Sequence, residues 1–172
     1  MIALIGTHGV GKTTLLKAFG ETGVGRSYTI RDGDSRMVKS FNKETGGKLT
    51  SKDEQILINR ISDSRWGLES QIDNLCLTRT PLDHYAYCKA FEWHDLAANR
   101  STLFRESDYK KVKFFYIPIE FQLEDDGVRF VNPSFQREID DLLVGQIQAY
   151  GLNPVALRGS VEQRLEILTK NL

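Results

Sequence analysis

The segment Gly6-Thr7-His8-Gly9-Val10-Gly11-Lys12-Thr13 constrains this chain more than any other stretch. It matches G-x-x-x-x-G-K-[ST] in full, after a short apolar run and before a helix-like stretch. Glycine admits the backbone angles that turn successive N–H groups inward around phosphate oxygens, and a following helix start adds partial positive charge. Lys12 is expected to reach the β- and γ-phosphates, and the Thr13 hydroxyl to bind Mg²⁺. ATP with Mg²⁺ is therefore the expected ligand, contacted by Gly6, His8, Gly9, Val10, Gly11, Lys12, Thr13 and Thr14. The motif does not fix the residue type at His8, which reads as a permitted filler rather than a catalytic base.

The surrounding pattern sets the fold class. Met1-Ile2-Ala3-Leu4-Ile5 is a continuous apolar run, as in a strand buried on both faces of a parallel sheet. A helix from Lys12 to about Phe19 follows, ended by Gly20 or Gly23. Further strands are expected at Tyr28–Arg31, Asn74–Thr78, Lys113–Pro118 and Pro154–Leu157. Helices are expected near Arg36 (capped by Asp32-Gly33-Asp34-Ser35), over 51–70 behind the Ser51/Glu54 capping box, from Leu82 to Phe91, after Pro133, and after Ser160. Glu124-Asp125-Asp126-Gly127 reads as a turn. Strands alternating with helices imply an α/β fold with a mainly parallel five-stranded sheet, and 172 residues fit one domain of ordinary size.

Composition narrows the partners. Lys plus Arg and Asp plus Glu both total 23, so the net charge is zero, which argues against a stable electrostatic grip on DNA. A local basic face leading to the loop would still admit a modified base in DNA as acceptor. Cys76 and Cys88 form no metal-ligand spacing and sit among apolar neighbours, as buried thiols in a reducing cytoplasm do. No apolar run approaches membrane-spanning length, and the N-terminus lacks the pattern of a signal peptide, so a cytoplasmic location is expected. The guanine-reading N-K-x-D pattern is approached only by Asn42-Lys43-Glu44-Thr45, which lacks the final aspartate. Leu75-Cys76-Leu77 ends in Thr78-Arg79, without the acidic pair usual in helicases and assembly ATPases.

Taken together, Gly6 to Thr13, Asp32 to Arg36, Thr78-Arg79-Thr80-Pro81-Leu82-Asp83, Asp126 to Asp140 and Gly159-Ser160-x-Glu162-x-Arg164 resemble the nucleoside and nucleotide kinase branch of P-loop proteins. The resemblance includes the small kinase-like ATPases common in phages and bacteria, and it implies a three-layer P-loop NTPase sandwich. In such kinases the strand here ending at Thr78 commonly continues Asp-Arg-Ser/Thr/Tyr; this chain keeps Arg79 and has Thr78 at the acidic position. The resemblance implies that Arg79 steadies acceptor or transferring phosphate, with a local ion pair to Asp83 as the alternative. It implies that Asp32, or else Asp34, serves the acceptor hydroxyl, turn chemistry being the competing account. Asp83 is expected to support Mg²⁺ or Arg79, or else to start a helix. Arg129 and Arg137 flank a segment where related kinases keep a lid, with a surface salt bridge as the alternative for either, and Arg36 is divided between an acceptor phosphate and a solvated face. The implied activity is phosphoryl transfer from ATP to a nucleoside, nucleotide or nucleotide-like acceptor, with an ATPase switch module as an alternative. Many related kinases are dimers, so a homodimer belongs to the same expectation. Tyr85, Tyr87, Phe91, Trp93 and Trp66 are divided between core packing and stacking on a base.

Overall fold

The computed structural model describes residues 1–32, 72–122 and 132–172. The elements are β1 (Ile2–Ile5), α1 (Lys12–Glu21), β2 (Thr29–Arg31), β3 (Leu75–Thr78), α2 (Pro81–Ala90), α3 (His94–Glu106), β4 (Lys113–Tyr116), α4 (Pro133–Ala149), β5 (Val155–Ala156) and α5 (Val161–Lys170). The helix expected over 51–70, the cap near Arg36, Asp34, Trp66, the turn at Glu124–Gly127 and Arg129 lie outside the described residues.

The five strands form one sheet in the order β2-β3-β1-β4-β5, and every neighbouring pair is parallel. Alternation along the strands builds a core on each face. Ala3, Ile5, Leu75, Leu77 and Phe114 point to one side, where they pack with Leu82, Phe104, Ile139 and Leu143. Ile2, Leu4, Cys76 and Phe115 point to the other and pack with Leu15, Leu16, Phe19 and Leu168. Strands covered on both sides need near-continuous apolar runs, which is why IALI and LCLT carry no alternation with polar residues. The result is the expected three-layer α/β architecture. Cys76 and Cys88 are buried, and burial pushes the Cys76 thiol up to about 12.

Helices α1 and α3 differ from expectation. Helix α1 runs through Gly20 to Glu21 and closes where the Thr22 N–H donates to the Phe19 carbonyl. A Cβ at Gly20 would lie 3.3 Å from Ile30, so the missing side chain lets β2 approach the helix. Helix α3 was not anticipated. It buries only Ala97, Arg100 and Phe104, and Trp93 at its N-cap makes no side-chain capping bond.

Candidate active site

All the chemistry-bearing segments leave the sheet at the C-terminal edge of its strands, where open α/β sheets bind ligands. The loop from Gly6 joins β1 to α1, Asp32 follows β2, and Arg79 follows β3. Gly9 and Gly11 take φ of 75° and 89°, and Gly11 is the N-cap of α1. Left-handed backbone there costs an L-residue, and alternating left- and right-handed residues make the inward-facing amide nest. Gly6 is required for a second reason: its Cβ would stand 2.6 Å from the Ile117 carbonyl oxygen.

Lys12 is buried, and its ammonium donates to the carbonyls of Gly6 and Thr7, the latter at 2.5 Å. The Thr13 hydroxyl donates to Asp32 Oδ1 at 3.0 Å, and the Thr78 hydroxyl donates to the same oxygen at 3.0 Å. The register explains this meeting. Arg31 lies opposite Leu77, and Leu4 opposite Thr78, so the residue after β2 stands level with the end of β3, beside the β1 loop. The acid that related kinases carry on β3 is absent at Thr78, and a carboxylate reaches the neighbourhood of Thr13 from the adjacent strand.

Asp83, expected on the metal side, is almost fully buried and holds protein donors with both oxygens. Oδ1 accepts from the Gly6 N–H at 3.2 Å; Oδ2 accepts from the Thr80 N–H at 2.8 Å and the Thr80 hydroxyl at 3.0 Å. With the Leu82 N–H donating to the Thr80 hydroxyl, this closes a capping box on α2. Asp83 therefore ties α2 to the first amide of the loop, and Asp32 is the carboxylate that meets Thr13. Arg79, in the left-handed region at φ 77°, does not lie on Asp83; its guanidinium sits over the Tyr87 ring, 5.0 Å from the centroid. The Tyr87 hydroxyl is 2.9 Å from His8 Nδ1, so His8 turns its ring to the flank of the loop. Thr14 is exposed on the first turn of α1 and Arg137 is exposed on α4.

The contacts that flank the loop were not assigned from sequence, although Arg164 and the segment 126–140 belong to the kinase-like resemblance. Gln136 donates to the His8 carbonyl at 2.7 Å, and Arg164 donates to the Val10 carbonyl at 2.7 Å. Arg164 also pairs with Glu120 at 2.9 Å, and Glu120 accepts the Gly159 N–H at 2.8 Å. Burial pushes Glu120 up, but the bonds from Arg164 and Gly159 and the charge of Arg164 outweigh it and hold the carboxyl below its usual range. Asp140 accepts from the Tyr116 hydroxyl at 2.7 Å. Burial raises its carboxyl and the Asp141 charge adds to this, while the Tyr116 bond and the Lys12 ammonium pull it down; the net shift is upward. Tyr116 is raised too, first by burial and then by donating to Asp140.

The donor set suits one kind of cation. Among the described residues no group of three or more His, Cys, Asp or Glu could hold a metal. One hydroxyl with a carboxylate behind it fits Mg²⁺, which keeps waters and shares phosphate oxygens rather than filling an all-protein cage.

A parallel three-layer sheet with a glycine loop, a lysine and a threonine at the end of its first strand defines a P-loop protein of kinase-like fold. The chain belongs to the AAA domain family, whose model matches residues 1–164. No curated protein matches it in sequence. Among solved structures it is similar to a deoxyadenosine kinase from M. mycoides, determined with dCMP and dCDP bound, at 12% identity and TM-score 0.66 over 99% of this chain and 97% of that one. A thymidylate kinase from Ehrlichia chaffeensis matches at 13% identity and TM-score 0.61, covering 99% and 97%. A shikimate kinase from Acinetobacter baumannii matches at 13% and 0.57, covering 99% and 93%. At such identities the likeness is one of fold. Among the described residues no helix is long and apolar enough to cross a membrane.

Proposed function

We propose that this chain is a Mg²⁺-dependent phosphotransferase that moves the γ-phosphoryl group of ATP to a nucleoside, deoxynucleoside monophosphate or nucleotide-like acceptor. The observation that carries the reading is the convergence of Thr13, Asp32 and Thr78 beside the glycine loop. Lys12 and the loop amides bind the triphosphate, and the Thr13 hydroxyl would hold the cation. When bound, Mg²⁺ neutralises charge on the β- and γ-phosphates. Asp32 orients the Thr13 hydroxyl and takes the proton of the attacking acceptor hydroxyl. Arg79, set by its left-handed backbone and the Tyr87 ring, offers a planar, permanently charged fork to phosphate. Arg129 serves as a further cation for the transferring group. Such a site gains rate from positioning and electrostatics rather than from a covalent intermediate.

The test is γ-labelled ATP offered with panels of nucleosides, nucleoside monophosphates and hydroxymethylated DNA. Label is expected on one class of small acceptor. Label on DNA alone would move the acceptor into the polymer, and label released only as inorganic phosphate in every panel would replace the kinase reading with an ATPase switch. Lys12→Ala is expected to abolish turnover in each case.

A further inference from the structure

The carbonyls that the loop turns outward are held by two buried side chains from opposite flanks. Gln136 of α4 donates through Nε2 to the His8 oxygen, and Arg164 of α5 donates through Nη1 to the Val10 oxygen, both at 2.7 Å. Each side chain is 3% exposed, and Arg164 is itself fixed by Glu120 at 2.9 Å. A peptide unit is planar, and in the trans form its C=O and N–H point in opposite directions. None of the described peptides is cis. A donor that fixes the His8 carbonyl therefore fixes the direction of the Gly9 N–H, and a donor on the Val10 carbonyl fixes the Gly11 N–H.

Gly9 and Gly11 are the two residues of the loop whose planes most need fixing. Both have positive φ and no side chain to resist rotation, and a flipped plane would present an oxygen where the nest needs a donor. A Cβ at Gly11 would stand 3.3 Å from Arg164 Nη1, so the guanidinium lies directly against the plane it holds. We infer that Gln136 and Arg164 are positioning residues that hold the Gly9 and Gly11 amides toward phosphate, acting through the opposite ends of the two peptide units. The inference rests on the proposed use of this loop for a nucleoside triphosphate. It assigns to α4 and α5 a part in phosphate binding that needs no contact between either side chain and the ligand.

Titration calorimetry with Mg²⁺-ATP at a temperature where each variant is fully folded tests it. Gln136→Met keeps the volume and loses the donor, and a lost neutral hydrogen bond predicts about tenfold weaker binding. Arg164→Ala loses a charge-assisted bond and is expected to weaken binding between about tenfold and a hundredfold. Millimolar guanidinium, but not ammonium, is expected to restore most of the Arg164→Ala loss. A purely structural role would lower the melting temperature, leave the affinity of the folded protein unchanged and show no guanidinium rescue. Gln136→Asn, one methylene short of the carbonyl, replaces Gln136→Met should the latter not fold, with the same expected loss. Wild-type protein that binds while the folded variants bind equally well overturns the inference alone. Wild-type protein that binds no triphosphate overturns the nucleotide reading and the inference together.

Discussion

Replacing Asp83 separates a brace from a metal ligand, because the two roles predict different dependences on Mg²⁺. Its carboxylate receives the Gly6 N–H, the Thr80 N–H and the Thr80 hydroxyl, all in buried surroundings. Asp83→Ala leaves two buried backbone donors unpaired, at about 1–3 kcal/mol each, and opens a capping box that contributes about 1 kcal/mol. The sum, about 3–7 kcal/mol, is a large part of the roughly 5–15 kcal/mol that holds a typical domain together, so Asp83→Ala is expected to be poorly folded. Asp83→Asn is the more informative variant. It keeps the shape, but its amide NH₂ must face either Gly6 or Thr80 with a donor against a donor, a loss of about 2–3 kcal/mol. For a domain of this size that is a fall in melting temperature of about 5–10 °C. The assay is thermal melting by circular dichroism, run in EDTA and again with Mg²⁺ and ATP. Asp108→Asn, which removes an exposed partner of Lys111, serves as a control expected to melt like wild type. A brace predicts the full drop in EDTA. Asp83→Asn melting with wild type in EDTA, and falling behind only when Mg²⁺ and ATP are added, would refute the reasoning and return Asp83 to the metal.

Asp32→Asn keeps an oxygen for the Thr13 and Thr78 hydroxyls but loses the base, so kcat is expected to fall about a hundredfold or more with little change in melting temperature; steady-state kinetics with kcat within twofold of wild type would contradict the role. Tyr87→Leu removes the ring beneath Arg79, and a cation–π contact at a partly exposed site predicts an acceptor KM raised about two- to fivefold, whereas Tyr87→Phe keeps the ring and is expected to stay near wild type. Equal effects from the two variants would show that the hydroxyl contact to His8 matters and the ring does not. Asp140 has a folded carboxyl raised above its unfolded value, so its ionisation costs stability: the penalty is absent below the unfolded value of about 4 and grows as pH rises through the folded one. Asp140→Asn is always neutral and still accepts from Tyr116, so melting curves across pH are expected to show the variant gaining on wild type from about pH 4 to neutrality. A difference that shrinks over that range would contradict the sign.

The strand–loop–helix unit from Ile2 to Glu21 was legible because three independent signals coincide there: an apolar run, a glycine spacing and a helix-forming stretch. Helix α5 was legible for a local reason as well, since Ser160 and Gln163 close a capping box within one turn. Helix α3 lacked any such signal. Asn99, Ser101 and Thr102 interrupt its face, the buried Arg100 reads as a surface residue, and no side chain caps its start. Within the site, the loop was readable and its supports were not. Gln136 and Arg164 reach carbonyls 128 and 154 positions away, and a side chain to backbone bond leaves no pattern in the partner's identity. Asp83 was readable as a helix start, but its second bond, to Gly6, depends on β3 lying beside β1.

The position of Asp32 follows from strand order and register. In a parallel sheet, neighbouring strands end level with one another, and the layer just beyond Thr78 and Leu4 lies close to Thr13. Strand β3 offers a hydroxyl in that layer, and β2, one strand further out, offers the carboxylate. The hydroxyl at Thr78 still takes part, because its donation to Asp32 Oδ1 draws the carboxylate inward across the intervening strand spacing. The Thr78 hydroxyl and the Asp32 carboxylate meet because the strand order β2-β3-β1 places their strands side by side.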